Sequence, residues 1–214
     1  MKMINADQIN TILGIDESYK APTAIMKLLF DKKRREKAFR SFLEIEHDLT
    51  RDAFHAYFEE QQANKRKYAQ DFTPDSISNL LTKIVPTNGK TLDVATGSGA
   101  LIIAKWHEDR MKCGIADYRP SKFLYHCEEL SDNALPFLLF NLMIRGMNAT
   151  VVHGDSIARK AKQVYLIANE NDDFMDFSTL NIFPHSKDVE EAFNVGEWLE
   201  EEKTRIELKE AWLL

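Results

Sequence analysis

The amino-acid sequence predicts an α/β fold, with a shortened, mainly parallel sheet between an N-terminal helical subdomain and a C-terminal helix. Three observations support this prediction. Residues 1–64 carry apolar side chains at helical spacing, residues 91–168 alternate between strand-like and helix-like segments, and residues 187–214 form an acidic amphipathic pattern. We therefore expect three parts, with the sheet domain spanning residues 65–186.

Composition and charge limit the class of protein. The longest apolar run, Ala134–Ile144, contains Pro136 and is far shorter than the roughly 20 residues of a membrane span. Residues 1–7 have no apolar signal-peptide core, and the two cysteines, Cys113 and Cys127, have no metal-binding spacing. We expect a cytoplasmic protein with reduced thiols and no metal site. The net charge of −6 lowers the expectation that this chain alone binds DNA through phosphates.

The helical part contains three apolar patterns. Two predicted helices cover 21–30 and 39–49, and Thr50 is placed to cap a third helix that carries Phe54. The basic run 31–37 between them has two interpretations, a contact with phosphates or a solvated helix face. The solvated face is the more common use of such a run, and we favour it.

A glycine turn organises the middle of the chain. The apolar segment 91–95 stops at Gly97, turns through Gly99 and continues into a helix-like segment, 101–106. A strand, a glycine turn and a helix form the first unit of many nucleotide- or cofactor-binding folds, because the turn lets a ligand approach the backbone. The alternative is a tight turn between strand and helix that binds nothing.

Further strand-like segments follow at 123–127, 150–153 and 164–168, and a helix over 132–144 separates the first two. Each segment ends in polar residues. Because the carboxyl ends of parallel strands meet at one edge of a sheet, these residues are expected to face one crevice. The expected crevice residues are Gly97, Glu129, Asp155 and Asn169.

The last stretch, 187–214, has two interpretations. Acidic residues surround apolar ones at helical intervals, which is typical of an amphipathic helix packed by its aromatic face. The alternative is a tail that binds a partner protein or mimics nucleic acid. We favour the packed helix.

The motifs, in this order, resemble those of DNA adenine-N6 methyltransferases, especially the modification subunits of type I restriction systems. Residues 69–74 are similar to the Gly-Gln-Phe-Phe/Tyr-Thr-Pro segment of that family, and 93–99 match its glycine motif. Residues 127–131, followed by Asn141-Leu142, are similar to its acidic second-strand motif, and 154–156 match its Gly-Asp-[Ser/Thr] motif. The resemblance covers about residues 20–170.

The resemblance implies a Rossmann-like fold that binds S-adenosylmethionine. In that family, the carboxylate at Glu129 would accept from both ribose hydroxyls, and Asp155 would accept from the adenine amino group. Asp93 would lie near the sulfonium and amino groups, and Phe72 with Thr73 near the methionine end. The cofactor-binding set implied by the resemblance is Phe72, Thr73, Asp93, Ala95, Thr96, Gly97, Ser98, Gly99, Glu129, Leu130, Asp155 and Ser156.

The sequence departs from the family at the catalytic motif. The family has Asn/Asp-Pro-Pro-Phe/Tyr after its fourth strand, whereas this chain has 168–174, in which Asn169 is the candidate catalytic residue and both prolines are absent. Three hypotheses therefore stay open: a DNA adenine-N6 methyltransferase, a methyltransferase of another substrate class, and an inactive binding protein with a regulatory or anti-restriction role. Either DNA, a partner protein or a second copy would be the partner. The segment 179–183 or another chain would complete the sheet.

Overall fold

The computed structural model describes residues 4–55, 57, 75–84, 86, 89–114 and 117–209. Two residues of the expected cofactor-binding set, Phe72 and Thr73, lie outside the described residues, as does the expected domain boundary at residue 64. No described helix is long and apolar enough to cross a membrane.

Helices and strands alternate through the described part of the chain. The helices are α1 Ala6–Leu13, α2 Ala21–Leu29, α3 Lys32–Leu43, α4 Asp75–Ile84, α5 Ala100–Cys113, α6 Leu135–Ile144 and α7 Lys187–Phe193. The strands are β1 Lys90–Val94, β2 Leu124–Glu129, β3 Ala149–Asp155, β4 Lys160–Ala168, β5 Thr179–Ile182 and β6 Glu197–Trp198.

The second helix of the N-terminal part begins earlier than the sequence predicts. Asp31 caps α3, since its side chain accepts the N–H of Arg34, and the helix ends at Leu43 rather than Leu49. The prediction over 39–49 is therefore wrong in its bounds. Most of the basic run is exposed, as a solvated face requires, but Arg35 is buried.

The strands form one mixed sheet in the order β1-β2-β3-β4-β5, with β6 beside β4. β1 and β3 both run parallel to β2, which lies between them, and β6 is parallel to β4. This confirms the α/β class. In the described part of the chain, β1 pairs with β2 alone and therefore forms an edge of the sheet.

β4 runs antiparallel to β3, and this corrects the expectation that it is a fourth parallel strand. Only the residues 156–159 connect the two strands, whereas a parallel crossover needs about a dozen residues or more. A β-bulge lies between His153 and Gly154, where the backbones of the two strands come close together. A Cβ on Gly154 would lie 2.2 Å from the carbonyl oxygen of Lys160, so only glycine fits this approach.

Apolar clusters pack on both faces of the sheet. The main hydrophobic core joins α2, α3, α5 and α6 to the face of the sheet that carries Cys127 and Val151. Phe39, Phe54 and Phe140 link the N-terminal helices to α6 through ring contacts of 4.7–5.0 Å between Phe140 and the other two. A smaller cluster lies under α7 on the other face. The described N-terminal helices thus share one core with the sheet.

The C-terminal helix is much shorter than predicted. It ends at Phe193, followed by Asn194 in the left-handed conformation and then Gly196, whose N–H donates to the carbonyl oxygen of Arg159. The chain then runs along the sheet without helical structure to residue 209. Near its end, Glu207 forms an ion pair of 2.6 Å with the buried Arg35. The expectation of one helix over 187–214 is therefore wrong over 194–209, and residues 210–214 lie outside the described residues.

Candidate functional site

The glycine turn between β1 and α5 adopts an unusual backbone. Ala95, Gly97 and Gly99 have φ angles of 62°, 63° and 105°. A Cβ on Gly97 would meet nothing within 4 Å, so the glycine is required by its backbone angle and not by crowding. An alanine with positive φ is strained by about 1 kcal/mol. The turn therefore holds a shape that an unconstrained chain of this sequence would not favour.

Glu129 holds this turn against the end of β2. Its carboxylate accepts the N–H of Gly97 at 2.6 Å and the N–H of Ser131 at 2.7 Å, and the residue is 4% exposed. The N–H of Thr96 adds a bond to the carbonyl oxygen of Glu128. Each carboxylate oxygen of Glu129 keeps a further lone pair that can accept from a ligand hydroxyl.

Asp93 is a half-buried residue beside Glu129, and the Oδ2 atom of its carboxylate is buried. Its Oδ2 has no hydrogen-bond partner among the described residues. Burial, and secondly the negative charge of Glu129, raise its pKa to about 6. Asp93 lines a cavity of about 240 Å³ between α4, α5 and β1. Two carboxylates held together with one buried oxygen unpaired suit a ligand that brings positive charge and hydrogen-bond donors.

The residues that follow β2 and β3 lie at the same edge of the sheet. Leu130, next to Glu129, is 59% exposed and offers an apolar surface there. Asp155 ends β3 two residues beyond His153, which pairs with Glu129. The Oδ1 atom of Asp155 accepts the N–H groups of Ala158 and Ile157, and these bonds lower the pKa of Asp155. Ser156 follows in the same turn.

Asn169 lies at the amino-terminal end of β3, whereas the glycine turn lies with the carboxyl ends of β1, β2 and β3 at the opposite end of the sheet. Because β4 is antiparallel to β3, its last residues pair with the start of β3, where Ile167 faces Ala149. The expectation that Asn169 shares a crevice with Gly97, Glu129 and Asp155 is therefore wrong. Its fully buried side chain instead bonds the loop that follows it. The amide donates to the carbonyl oxygens of Gly146, Asp173 and Asp176 and accepts the N–H of Asp173.

Replacing Asn169 with Ala is expected to lower the free energy of unfolding by about 2–4 kcal/mol, because several buried backbone groups lose their partner. Urea denaturation measures this change. Asn171→Ala is the matched control, since the side chain of Asn171 is exposed and its bonds with Asp176 and Lys209 lie at the surface. Equal stability of the two variants would contradict the structural role given to Asn169.

A set of buried polar residues behind the glycine turn was not predicted from the sequence. Ser98, in the turn, contacts Asp52 from the N-terminal part and Asn141 from α6, and Arg145 supports them. Asn141 belongs to the Asn-Leu pair that resembles the family motif, so the sequence carried a signal for that residue. It carried none for Asp52.

These features define a class of protein. Parallel strands that end in a glycine turn and acidic residues at one edge are the first half of a doubly wound sheet, whose ligands bind outside the carboxyl ends of the strands. The model of the N-6 DNA methylase family matches residues 45–200, and the chain belongs to that family. The match spans the glycine turn, Glu129 and Asp155. No curated protein matches the chain.

Proposed function

We propose that this protein binds S-adenosylmethionine at the edge formed by β1, β2 and β3. The observation that carries the proposal is the buried Oδ2 of Asp93, which has no hydrogen-bond partner among the described residues and lies next to a second carboxylate, Glu129. A cationic ligand would neutralise this pair, and the methionine part of S-adenosylmethionine carries positive charge on its amino and sulfonium groups. When bound, the cofactor supplies an activated methyl group.

The residues at this edge suit the remaining parts of the cofactor. The free lone pairs of Glu129 would accept from the ribose hydroxyls, and Asp155 from the adenine amino group. Leu130, exposed beside Glu129, would cover a face of the adenine ring. Phe72 and Thr73 stay candidates for the methionine end on the strength of the motif alone.

Membership of the N-6 DNA methylase family supports adenine in DNA as the methyl acceptor. The location of Asn169 favours a second candidate, a protein that binds the cofactor and does not transfer the methyl group by itself. An adenine-N6 transferase needs a group that receives the target amine near the methyl group, and Asn169 is held in a loop at the other edge of the sheet. We therefore expect cofactor binding without transfer by the isolated chain.

Two measurements on the purified chain test these proposals. Isothermal titration with S-adenosylmethionine and with S-adenosylhomocysteine should show saturable binding, and the absence of heat with both would overturn the cofactor proposal. Transfer of a tritiated methyl group to unmethylated DNA of mixed sequence should not exceed the blank. If the wild-type chain and Asn169→Ala both transfer the methyl group, the protein is an active DNA methyltransferase with a different catalytic residue. If the wild type transfers it and folded Asn169→Ala does not, Asn169 is the catalytic residue.

Among the described residues β1 pairs with a strand on one side only, which supports a protein partner or a second copy of this chain. Leu92 and Val94 of this edge strand are 62% and 49% exposed, and proteins usually cover an apolar edge strand. Sedimentation velocity of the purified chain would distinguish a monomer from a homodimer.

A further inference from the structure

The glycine turn is held from behind by a buried polar network that begins in the N-terminal part of the chain. Asp52 is 5% exposed, and its Oδ2 accepts the hydroxyl of Ser98 at 2.5 Å. Its Oδ1 accepts the N–H of Phe54 and the side-chain amide of Asn141, both at 2.9 Å. Each of these three hydrogen bonds is buried inside the protein.

The network forms hydrogen bonds with both the side chain and the backbone of Ser98. The amide of Asn141 also donates to the carbonyl oxygen of Ser98 at 2.9 Å. Ser98 is 1% exposed and lies between Gly97, whose N–H donates to Glu129, and Gly99, from which α5 starts. The turn is thus fixed on its outer side by Glu129 and on its inner side by Asp52 and Asn141.

Arg145 fixes the segment that carries Asp52. Its guanidinium donates to the carbonyl oxygens of Leu49 at 2.9 Å and Arg51 at 2.7 Å, directly before Asp52. It also donates to the backbone and side-chain oxygens of Asn141, both at 2.8 Å. The segment before Asp52 and the helix that carries Asn141 are therefore joined through one buried cation.

We infer that Asp52 is a positioning residue for the cofactor, and that the N-terminal part of the chain sets cofactor affinity through Asp52 and Ser98. This inference rests on the proposed function. The left-handed angles at Ala95 and Gly97 make the turn costly to hold in one conformation. The buried, charged carboxylate of Asp52 accepts from Ser98 in the turn, and this bond fixes the turn beside Asp93 and Glu129 before a ligand binds. Asp52 touches no cofactor atom in this account.

Asp52→Asn tests the inference, since it keeps the shape of the side chain and removes the charge. Affinity for S-adenosylhomocysteine, measured where the melting curve shows a folded protein, should fall about ten- to a hundredfold, as for a lost charged hydrogen bond. Asp48→Asn is the matched control. Asp48 lies in the same segment and accepts from Thr50 and Arg51, but it does not contact the turn. The control should lower the melting temperature and leave the affinity unchanged.

A double-mutant cycle separates positioning from a loss of stability alone. Ser98→Ala should weaken binding by a similar factor, and Asp52→Asn should add little in that background, because the bond between the two side chains is already gone. If Asp52→Asn does not fold, Ser98→Ala decides the question, because the side chain of Ser98 is 1% exposed and its hydroxyl donates to Asp52. Unchanged affinity and unchanged amide exchange at 95–101 in Ser98→Ala would then overturn the inference. Independent, additive effects on affinity would overturn the inference.

Hydrogen exchange in the ligand-free protein distinguishes the failure of this inference from the failure of the proposed function. Asp52→Asn, but not Asp48→Asn, should speed amide exchange in residues 95–101. Wild-type protein that binds neither form of the cofactor would overturn the proposed function and the cofactor role of Asp52 with it. Wild-type binding, with unchanged affinity and unchanged exchange in Asp52→Asn, would overturn only the present inference.

Discussion

Asp93→Asn is expected to stabilise the ligand-free protein at pH 8 and, in the same molecule, to weaken cofactor binding about ten- to a hundredfold. The stabilisation follows because the substitution removes a buried charge that burial and Glu129 both disfavour. The weaker binding follows because the substitution also removes the charge that a cationic ligand would pair with. Melting temperature and isothermal titration measure the two effects.

The difference in stability between Asp93→Asn and wild type should depend on pH. The pKa of Asp93 is raised from 3.8 to about 6, so across that window the folded state retains a proton that the unfolded state has released. Stability therefore falls as the pH rises through the window. The advantage of Asp93→Asn over wild type should grow from about pH 4 to about pH 6 and then level off.

Asp155→Asn is the control, because backbone hydrogen bonds lower the pKa of Asp155 and the sign reverses. Its stability relative to wild type should fall as the pH rises toward the ordinary pKa of an aspartate and should then level off. A lower melting temperature for Asp93→Asn at pH 8, or unchanged affinity, would contradict the role of Asp93.

Arg145→Met is expected to have the largest effect on stability, a loss of about 3–5 kcal/mol in the free energy of unfolding. The substitution keeps much of the side-chain volume but leaves Asp52 as a buried charge and removes the donor from the carbonyl oxygens of Leu49, Asn141 and Arg51, of which that of Asn141 is buried. Burial lowers the pKa of Arg145 to about 10, and the charge of Asp52 opposes that shift. The guanidinium is therefore charged at neutral pH. Urea denaturation measures the change.

Two further variants sharpen this test. Arg145→Lys should recover only a small part of the loss, because an ammonium group cannot reach carbonyl oxygens on both sides as a planar guanidinium does. Arg159→Met should change stability by less than about 0.5 kcal/mol, since Arg159 is 45% exposed and its charged group lies 3.6 Å from Glu128. Equal effects of Arg145→Met and Arg159→Met would contradict the importance of the buried network.

The parts of the fold near the glycine turn could be predicted from the sequence because their signals are local. The apolar run before Gly97, the acidic end of β2 and the apolar pattern of α6 each identify an element within a few residues of its observed bounds. Parallel pairing then follows from the helices between these strands. The meeting of Glu129 with the N–H of Gly97 is a direct consequence.

The orientation of β4 could be predicted from the length of the connection before it, but not from the apolar pattern of the strand itself. The short connection 156–159 permits only a hairpin, and that fact moves Asn169 to the other edge of the sheet. The C-terminal segment likewise contains Gly196, which interrupts the helical pattern. Tertiary contacts with β4 decide its structure.

The network of Asp52 and Arg145 could not be predicted. The bond from Ser98 to Asp52 spans 46 residues, and the bond from Arg145 to Arg51 spans 94. Polar residues of this kind are usually exposed, so nothing in their own sequence context marks them as buried. Only the packing of the N-terminal helices against α6 makes these bonds possible.

The most direct test of the central claim is hydrogen exchange of the wild-type chain with and without saturating S-adenosylhomocysteine. The ligand should slow amide exchange in residues 93–99 and 129–131, where the N–H groups of Gly97 and Ser131 meet Glu129. Residues 169–176 at the opposite edge should exchange at the same rate in both states. Protection confined to 169–176, or no protection at 93–99 under saturating ligand, would contradict the placement of the cofactor site at the glycine turn.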